Sequence, residues 1–246
     1  MSFDGQRVVI VGGSAGIGEA TAGAFAADGA HVIITGRAKQ RLDLAAQHIG
    51  HPVEVRELDA TDGPAVSEFF ESAGTVDHLV LAASSGAVGS GPFRALDQAA
   101  LRQAFDGKFF AYVSVLQAAL PNLRADGSVT IISAVSARAA FPGAAGLAAV
   151  NGALEAIVPP LAVELAPLRI NAVSPGVIDT QWWHALPDAQ RAAFFQAVAA
   201  ASPVRRIGTP QDVAGAICYL AGAGFVTGTV LECAGGANLT VGAVAG

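Results

Sequence analysis

The sequence predicts an α/β protein: a single doubly wound domain on a seven-stranded parallel sheet, with helices on both faces. Three observations predict it. Apolar, β-branched runs of strand length alternate with longer helical patterns along the chain, and strands covered on both faces read as nearly continuous apolar runs. The composition is 52% hydrophobic and 14% charged, which excludes a disordered chain. No low-complexity linker and no internal repeat interrupts the 246 residues, so one domain over 1–246 is expected rather than two.

The elements follow in order. Residues 7–11 are the first strand, and a helical stretch after Gly12 runs to Asp28, where Gly29 ends it. Residues 31–35 are a strand, 38–49 a helix, 53–58 a strand, 64–73 a helix and 77–82 a strand. A long helical tract is expected over 97–123. Strand 128–133, helix 146–165 and strand 169–173 come next. A polar and aromatic insertion at about 180–205 should be a mobile lid over the substrate. Helix 211–221 and strand 229–233 complete the set. Right-handed crossovers in a doubly wound sheet place the ligand crevice at the carboxyl ends of the strands, near the switch point.

Charge and cysteine content narrow the function classes. Lys and Arg number 14 against 20 Asp and Glu, a net −6, which argues against nucleic acid as the main partner. Cys218 and Cys233 cannot form a disulfide framework, and no CxxC pair or HExxH spacing suggests a metal. A reducing cytoplasm fits, and no charged-then-apolar leader is read around Asp4 and Arg7. Residues 213–231 carry no charge, and their length alone would permit a membrane span. Gly215, Gly222, Gly224 and Gly228 make this run a helix, a turn and a buried strand instead.

The first chemical motif follows the first strand: Gly12, Gly13, Ser14, Ala15, Gly16, Ile17, Gly18. Gly12 allows a tight turn, Gly16 lets backbone approach a pyrophosphate, and Gly18 lets the helix pack close to the strand. The helix N-terminus then offers free N–H groups and a positive dipole end to phosphate.

This GxxxGxG spacing resembles the short-chain dehydrogenase/reductase family, a Rossmann-type fold; the resemblance extends over almost the whole chain and implies the strand order 3-2-1-4-5-6-7. Leu58-Asp59 resembles the family's adenine contact, and Asp77 to Val80 the lead-in to its fourth strand. Residues 171–180 (NAVSPGVIDT) resemble its sixth-strand segment. There Pro175, Gly176, Ile178 and Thr180 would hold the nicotinamide amide. Residues 203–212 (PVRRIGTPQD), Thr227-Gly228 and Gly235-Gly236 match its C-terminal part. The resemblance therefore implies a nicotinamide dinucleotide. Gly36 stands where an acid would bind a ribose 2′-hydroxyl, and Arg37 follows; an arginine accepts a 2′-phosphate, so NADP(H) is expected.

The family's catalytic residues are all changed. By resemblance, its tyrosine position is Leu147, its lysine position Asn151, its serine position Ala134 and its helix-four asparagine position Lys108. Val11 replaces the threonine before the glycine loop, and 81–84 read Leu-Ala-Ala-Ser where the family has paired asparagines. Asn151 retains a hydrogen-bonding side chain toward the ribose. Lys108 is the main candidate for retained chemistry. It is expected to face the pocket floor, where an ammonium polarises a carbonyl or donates a proton. Ser136 and His184 are the further catalytic candidates. Trp182 and Trp183 open the lid. Tyr112 is read as core or subunit interface, and Asp106 as an i,i+4 partner of Arg102.

Two functions compete. One is an NADP(H)-dependent oxidoreductase that transfers hydride to a small carbonyl or enone through a remodelled site. The other is a non-catalytic NADP(H)-binding protein, a cofactor sensor or supporting subunit. The resemblance implies a homo-oligomer, tetramer or dimer, through the two long helices and the last strand.

Overall fold

The computed structural model describes residues 2–84 and 86–239. Seven parallel strands form one sheet in the order β3-β2-β1-β4-β5-β6-β7. They are β1 (Arg7–Val11), β2 (His31–Gly36), β3 (Val53–Glu57), β4 (Val76–Leu81), β5 (Leu123–Ile132), β6 (Arg169–Pro175) and β7 (Val230–Cys233). The expected order is the observed one. Strand boundaries move by a residue or two, except that β5 begins five residues early because the preceding helix ends sooner.

The central strands look uniformly apolar, yet their residues divide by the two-residue period of the pleat. Val9, Val11, Leu79, Leu81, Val129, Ile131, Ile170 and Ala172 enter one core layer; Val8, Ile10, Val32, Ile34, Val80, Ile132 and Val173 enter the other. Helices α1 (Gly16–Ala27), α2 (Lys39–Ile49) and α8 (Pro210–Gly222) cover the second layer through Phe25, Leu42, Val213 and Ile217. Helices α3 (Gly63–Ala73), α5 (Ala111–Ala119) and α6 (Ala145–Glu164) cover the first through Phe70, Val115, Leu154 and Val158. Local signals set the helix ends. The Asp62 carboxylate accepts from Ala65 N–H at the start of α3, and Thr209 and Asp212 form a reciprocal capping box on α8. Gly50, with φ +69°, closes α2 in the left-handed conformation.

One polar group inside the second layer follows the same rules. His78 is buried against Phe3 and Phe25. Its ring nitrogens pair with Ser128 Oγ at 2.8 Å and Gln6 Oε1 at 2.7 Å, and burial pushes it down to about 4.

Three expectations need correction. The helical tract expected over 97–123 is not continuous: α4 (Gln98–Ala104) runs into a π-helical turn, Phe105–Phe110, before α5, and a 3₁₀ turn, Leu120–Asn122, ends it. The lid insertion expected at about 180–205, for which no helix is predicted, contains one, α7 (Asp188–Ala201). Arg102 and Asp106 form no ion pair among the described residues, because the fourth residue along no longer faces its partner across an α-to-π junction.

Residues 213–231 divide as expected, into α8, a turn and β7. The helix that is long and apolar enough to cross a membrane by length and composition is α6. In the fold it lies along β6 with Leu154 and Val158 completely buried. Leu154→Ala is expected to cost about 2–5 kcal/mol through lost transfer energy plus a cavity. A urea midpoint unchanged from wild type would contradict this placement.

Candidate active site

The glycine loop between β1 and α1 is a tight cradle. Gly12 has φ +98°, and a Cβ there would lie 2.4 Å from Ala83 N; a Cβ on Gly18 would lie 2.1 Å from Gly12 O. The Gly12 and Gly13 N–H groups bond Thr35 O at 2.9 and 3.0 Å, which ties the loop to the end of β2. Ala15, at the head of α1, has no side chain to cap the helix. The first N–H groups of α1 are therefore left for a ligand, at the positive end of the dipole. The segment after β6 closes over this loop: a Cβ on Gly16 would sit 3.2 Å from Thr180 Cγ2. Thr180 itself caps the 3₁₀ turn Gln181–Trp183. Gly176 is required where Ala234 comes within 2.9 Å of its missing Cβ, and Ile178 bridges to Gly208.

At the end of β2, Ser14 approaches Gly36 closely, with its Oγ 3.4 Å from where a Cβ would stand. Arg37 is exposed at the same strand end. Asp59 accepts from Thr61 N–H and Thr61 Oγ at 2.9 and 2.8 Å. Those bonds, with the charge of Arg37 adding, hold its carboxyl below the usual range. The loop, the free helix N-terminus and this polar edge fit an extended diphosphate ligand.

A second group lies at the carboxyl end of β5, under α6. The π turn brings Lys108 across to α6, where its Nζ donates to Asn151 Oδ1 at 2.7 Å and to Ser133 O at 3.4 Å. The Asn151 amide nitrogen donates to Ser136 Oγ at 3.1 Å and to Leu147 O at 2.9 Å. Burial pulls the Lys108 amine down to about 8, against the opposing charge of Glu155. Lys108, Asn151 and Ser136 thus form one hydrogen-bonded chain. Because Asn151 donates to Ser136 Oγ, the serine hydroxyl proton remains available to another acceptor.

A family model described as Enoyl-(Acyl carrier protein) reductase matches residues 11–238. An uncharacterized oxidoreductase of Methylorubrum extorquens is 32% identical, covering 95% of this chain and 98% of its own. The chain belongs to the short-chain dehydrogenase/reductase family. Galactitol 2-dehydrogenase (L-tagatose-forming) of Cereibacter sphaeroides is 31% identical over 95% of both chains. Among solved structures, a small-chain dehydrogenase in complex with NADPH superposes with a TM-score of 0.82. It is 29% identical and covers 96% of this chain and all of that one.

Within this short-chain dehydrogenase/reductase, the other sequence candidates fall apart from the Lys108 group. His184 is exposed just past the 3₁₀ turn, and among the described residues no side-chain hydrogen bond joins it to Lys108, Asn151 or Ser136. Trp183 is turned into the lid: its Nε1 donates to Ile178 O at 2.9 Å, and its ring packs 4.9 Å from Phe194 of α7. Trp182 is left 38% exposed. Tyr112 is core: its hydroxyl donates to Ala83 O at 2.6 Å, and burial raises the phenol. Ala83 is the residue that crowds Gly12, so this bond braces the glycine loop from behind.

Two residues not singled out from sequence complete the surroundings. Glu155, buried, accepts from Ser133 Oγ at 2.7 Å and from Arg138 Nε at 2.8 Å. The signal was present: Glu155 is the only charged residue between 145 and 163, one turn beyond Asn151.

Proposed function

We propose that this protein is an NADP(H)-dependent reductase of a small carbonyl or enone, using Lys108 in place of the family's usual proton donor. The observation that carries the reading is the 2.7 Å contact between Lys108 Nζ and Asn151 Oδ1. By resemblance, the family has lysine at 151 and asparagine at 108; here the two residue types are exchanged. The ammonium therefore reaches the same place from the opposite wall.

Lys108 holds a proton at Nζ for the substrate oxygen, and Asn151 and the Ser133 carbonyl aim it. Ser136 offers a second hydroxyl to that oxygen. Ser14 and Arg37 receive the ribose 2′-phosphate, and Gly12, Gly16, Ile17 and Gly18 receive the diphosphate. Pro175, Gly176, Ile178 and Thr180 hold the amide end. When bound, the reduced nicotinamide supplies the hydride. A cationic Lys108 disfavours an iminium substrate and favours a developing oxyanion.

The test is oxidation of NADPH and NADH against aldehydes, ketones, enones and cyclic imines. Turnover of carbonyls or enones with NADPH preferred supports the proposal. Tight NADPH binding without turnover of any acceptor favours the second reading, a cofactor-binding protein without catalysis. That reading draws on Leu147 and Ala134, neither of which carries a hydroxyl. Arg37→Asp is expected to weaken NADPH relative to NADH by about 10- to 100-fold, since it replaces a charge-assisted contact with a repulsive one. Equal affinities before and after, measured by calorimetry, would remove Arg37 from the cofactor site.

We also infer self-association through α6 and the β7 edge. Support comes from Val163 and Phe225, which are 81% and 103% exposed. A monomer by light scattering would overturn it. The free thiols Cys218 and Cys233 fit a reducing compartment such as the cytoplasm.

A further inference from the structure

We propose that the buried Glu155 carboxylate sets the charge of Lys108, and that Arg138 and Glu232 on its far side set how much of that charge Lys108 feels. The inference deepens the reading of Lys108 as proton donor, but it makes a claim that stands without turnover.

Both oxygens that Lys108 touches are neutral, one an amide and one a backbone carbonyl. No carboxylate pairs with it directly among the described residues. A desolvated ammonium is costly without compensation nearby. The compensation is one residue away. Ser133 is the joint, accepting from Lys108 through its carbonyl and donating to Glu155 Oε1 through its hydroxyl.

The second Glu155 oxygen faces outward to Arg138 Nε at 2.8 Å. Arg138 Nη1 in turn reaches Glu232 Oε1 of β7 at 2.9 Å. Asn238 donates to the other Glu232 oxygen. The four charges sum to zero only when Lys108 is protonated. Glu155 is 8% exposed in its side chain, whereas Arg138 is 43% exposed, so the acid nearest Lys108 is also the least screened by water. On its own helical tract, the flanking charges Arg102 and Asp106 are exposed to solvent, where screening weakens them. α5 carries no charged residue.

Glu155 is thus a positioning residue with a sign. Removing it exposes Lys108 to the full cost of burial. Removing Arg138 frees the Glu155 charge to act on Lys108 alone. A merely structural clamp would move Lys108 the same way in both variants.

The chain contains only two lysines, Lys39 and Lys108, so protein labelled with [ε-¹³C]lysine gives two resolvable signals. Lys39 is exposed and paired with Asp43 at 2.9 Å. Titration of the Lys108 signal is expected to shift down by about one pH unit in Glu155→Gln and up by a comparable amount in Arg138→Gln. Glu232→Gln is expected to shift it down by less. Shifts of one sign in Glu155→Gln and Arg138→Gln, or no shift in either, would overturn the proposal. If Glu155→Gln does not fold, the opposed shifts of Arg138→Gln and Glu232→Gln decide, since both sites reach solvent. The pH dependence of kcat/KM is read in parallel. Opposed NMR shifts in a protein without turnover would uphold the charge relation and reject the reductase reading. Turnover with an unmoved Lys108 signal would do the reverse.

Discussion

Lys108→Met is expected to lower kcat/KM by about 10²- to 10⁴-fold, the usual contribution of a positioned general acid, while the dinucleotide still binds. Methionine keeps the length and apolar stem but has no proton to give. In the wild type the donor must be protonated, and burial holds Lys108 at about 8. Wild-type kcat/KM is therefore expected to be flat below pH 8 and to fall by about tenfold per pH unit above it. The variant loses this falling limb. Stability carries the opposite sign. The folded amine titrates near 8 and the unfolded one near 10.5, so the fold bears the cost of a buried ammonium below pH 8. That cost fades between pH 8 and 10.5. The stability of the wild type relative to Lys108→Met must rise across that window. A flat difference in denaturation midpoint would mean that Lys108 reaches solvent, and the mechanism would go with it.

Gly18→Val should have the larger structural effect. Its first side-chain atom would lie 2.1 Å from Gly12 O and 2.9 Å from Gly12 C. Both are backbone atoms of the same loop, so neither swings aside. α1 must back away from β1, and the N–H groups at its head then lose their aim. Overpacking of this kind costs about 3 kcal/mol of stability, and a comparable loss at the diphosphate would weaken the dinucleotide about 100-fold. Thermal unfolding with and without NADPH separates the two effects. A variant that melts lower but keeps the full NADPH-induced shift would show that the loop does not hold the diphosphate.

The fold was largely legible because its signals are local and repeated. β-branched runs, helix-ending glycines and the Gly12–Gly18 spacing each act within a few residues. The resemblance then ordered the strands. The site was legible only in part. Lys108 was found by its position, but the reach of its side chain depends on the π turn, and a π turn has no composition of its own. Gly107 is the sole local hint. The same turn removed the expected Arg102–Asp106 pair. α7 was missed because its apolar residues serve the lid's own small core around Trp183, so the segment lacks the single stripe that marks a helix on a sheet. Glu155 was missed because an isolated acid in an alanine-rich helix looks like a solvated face until the strand beneath it is in place.

The π turn makes the aim of Lys108 a matter of chain length as much as of residue type. Ala111 N–H reaches back five residues to Asp106 O, so the tract holds one residue more than an α-helix of the same span. Losing any one residue between 105 and 110 would let the helix close into regular α turns. Residues inside the turn would then shift by up to about 100° about the axis, while α4 and α5 kept their relative orientation. A single-codon deletion beside Lys108, with no other side chain altered in kind, is enough to turn the lysine from its aim at Asn151. Conversely, inheriting or discarding one residue gives such a helix a way to re-aim a functional group while the core behind it, anchored by Tyr112 and Val115, stays as it was.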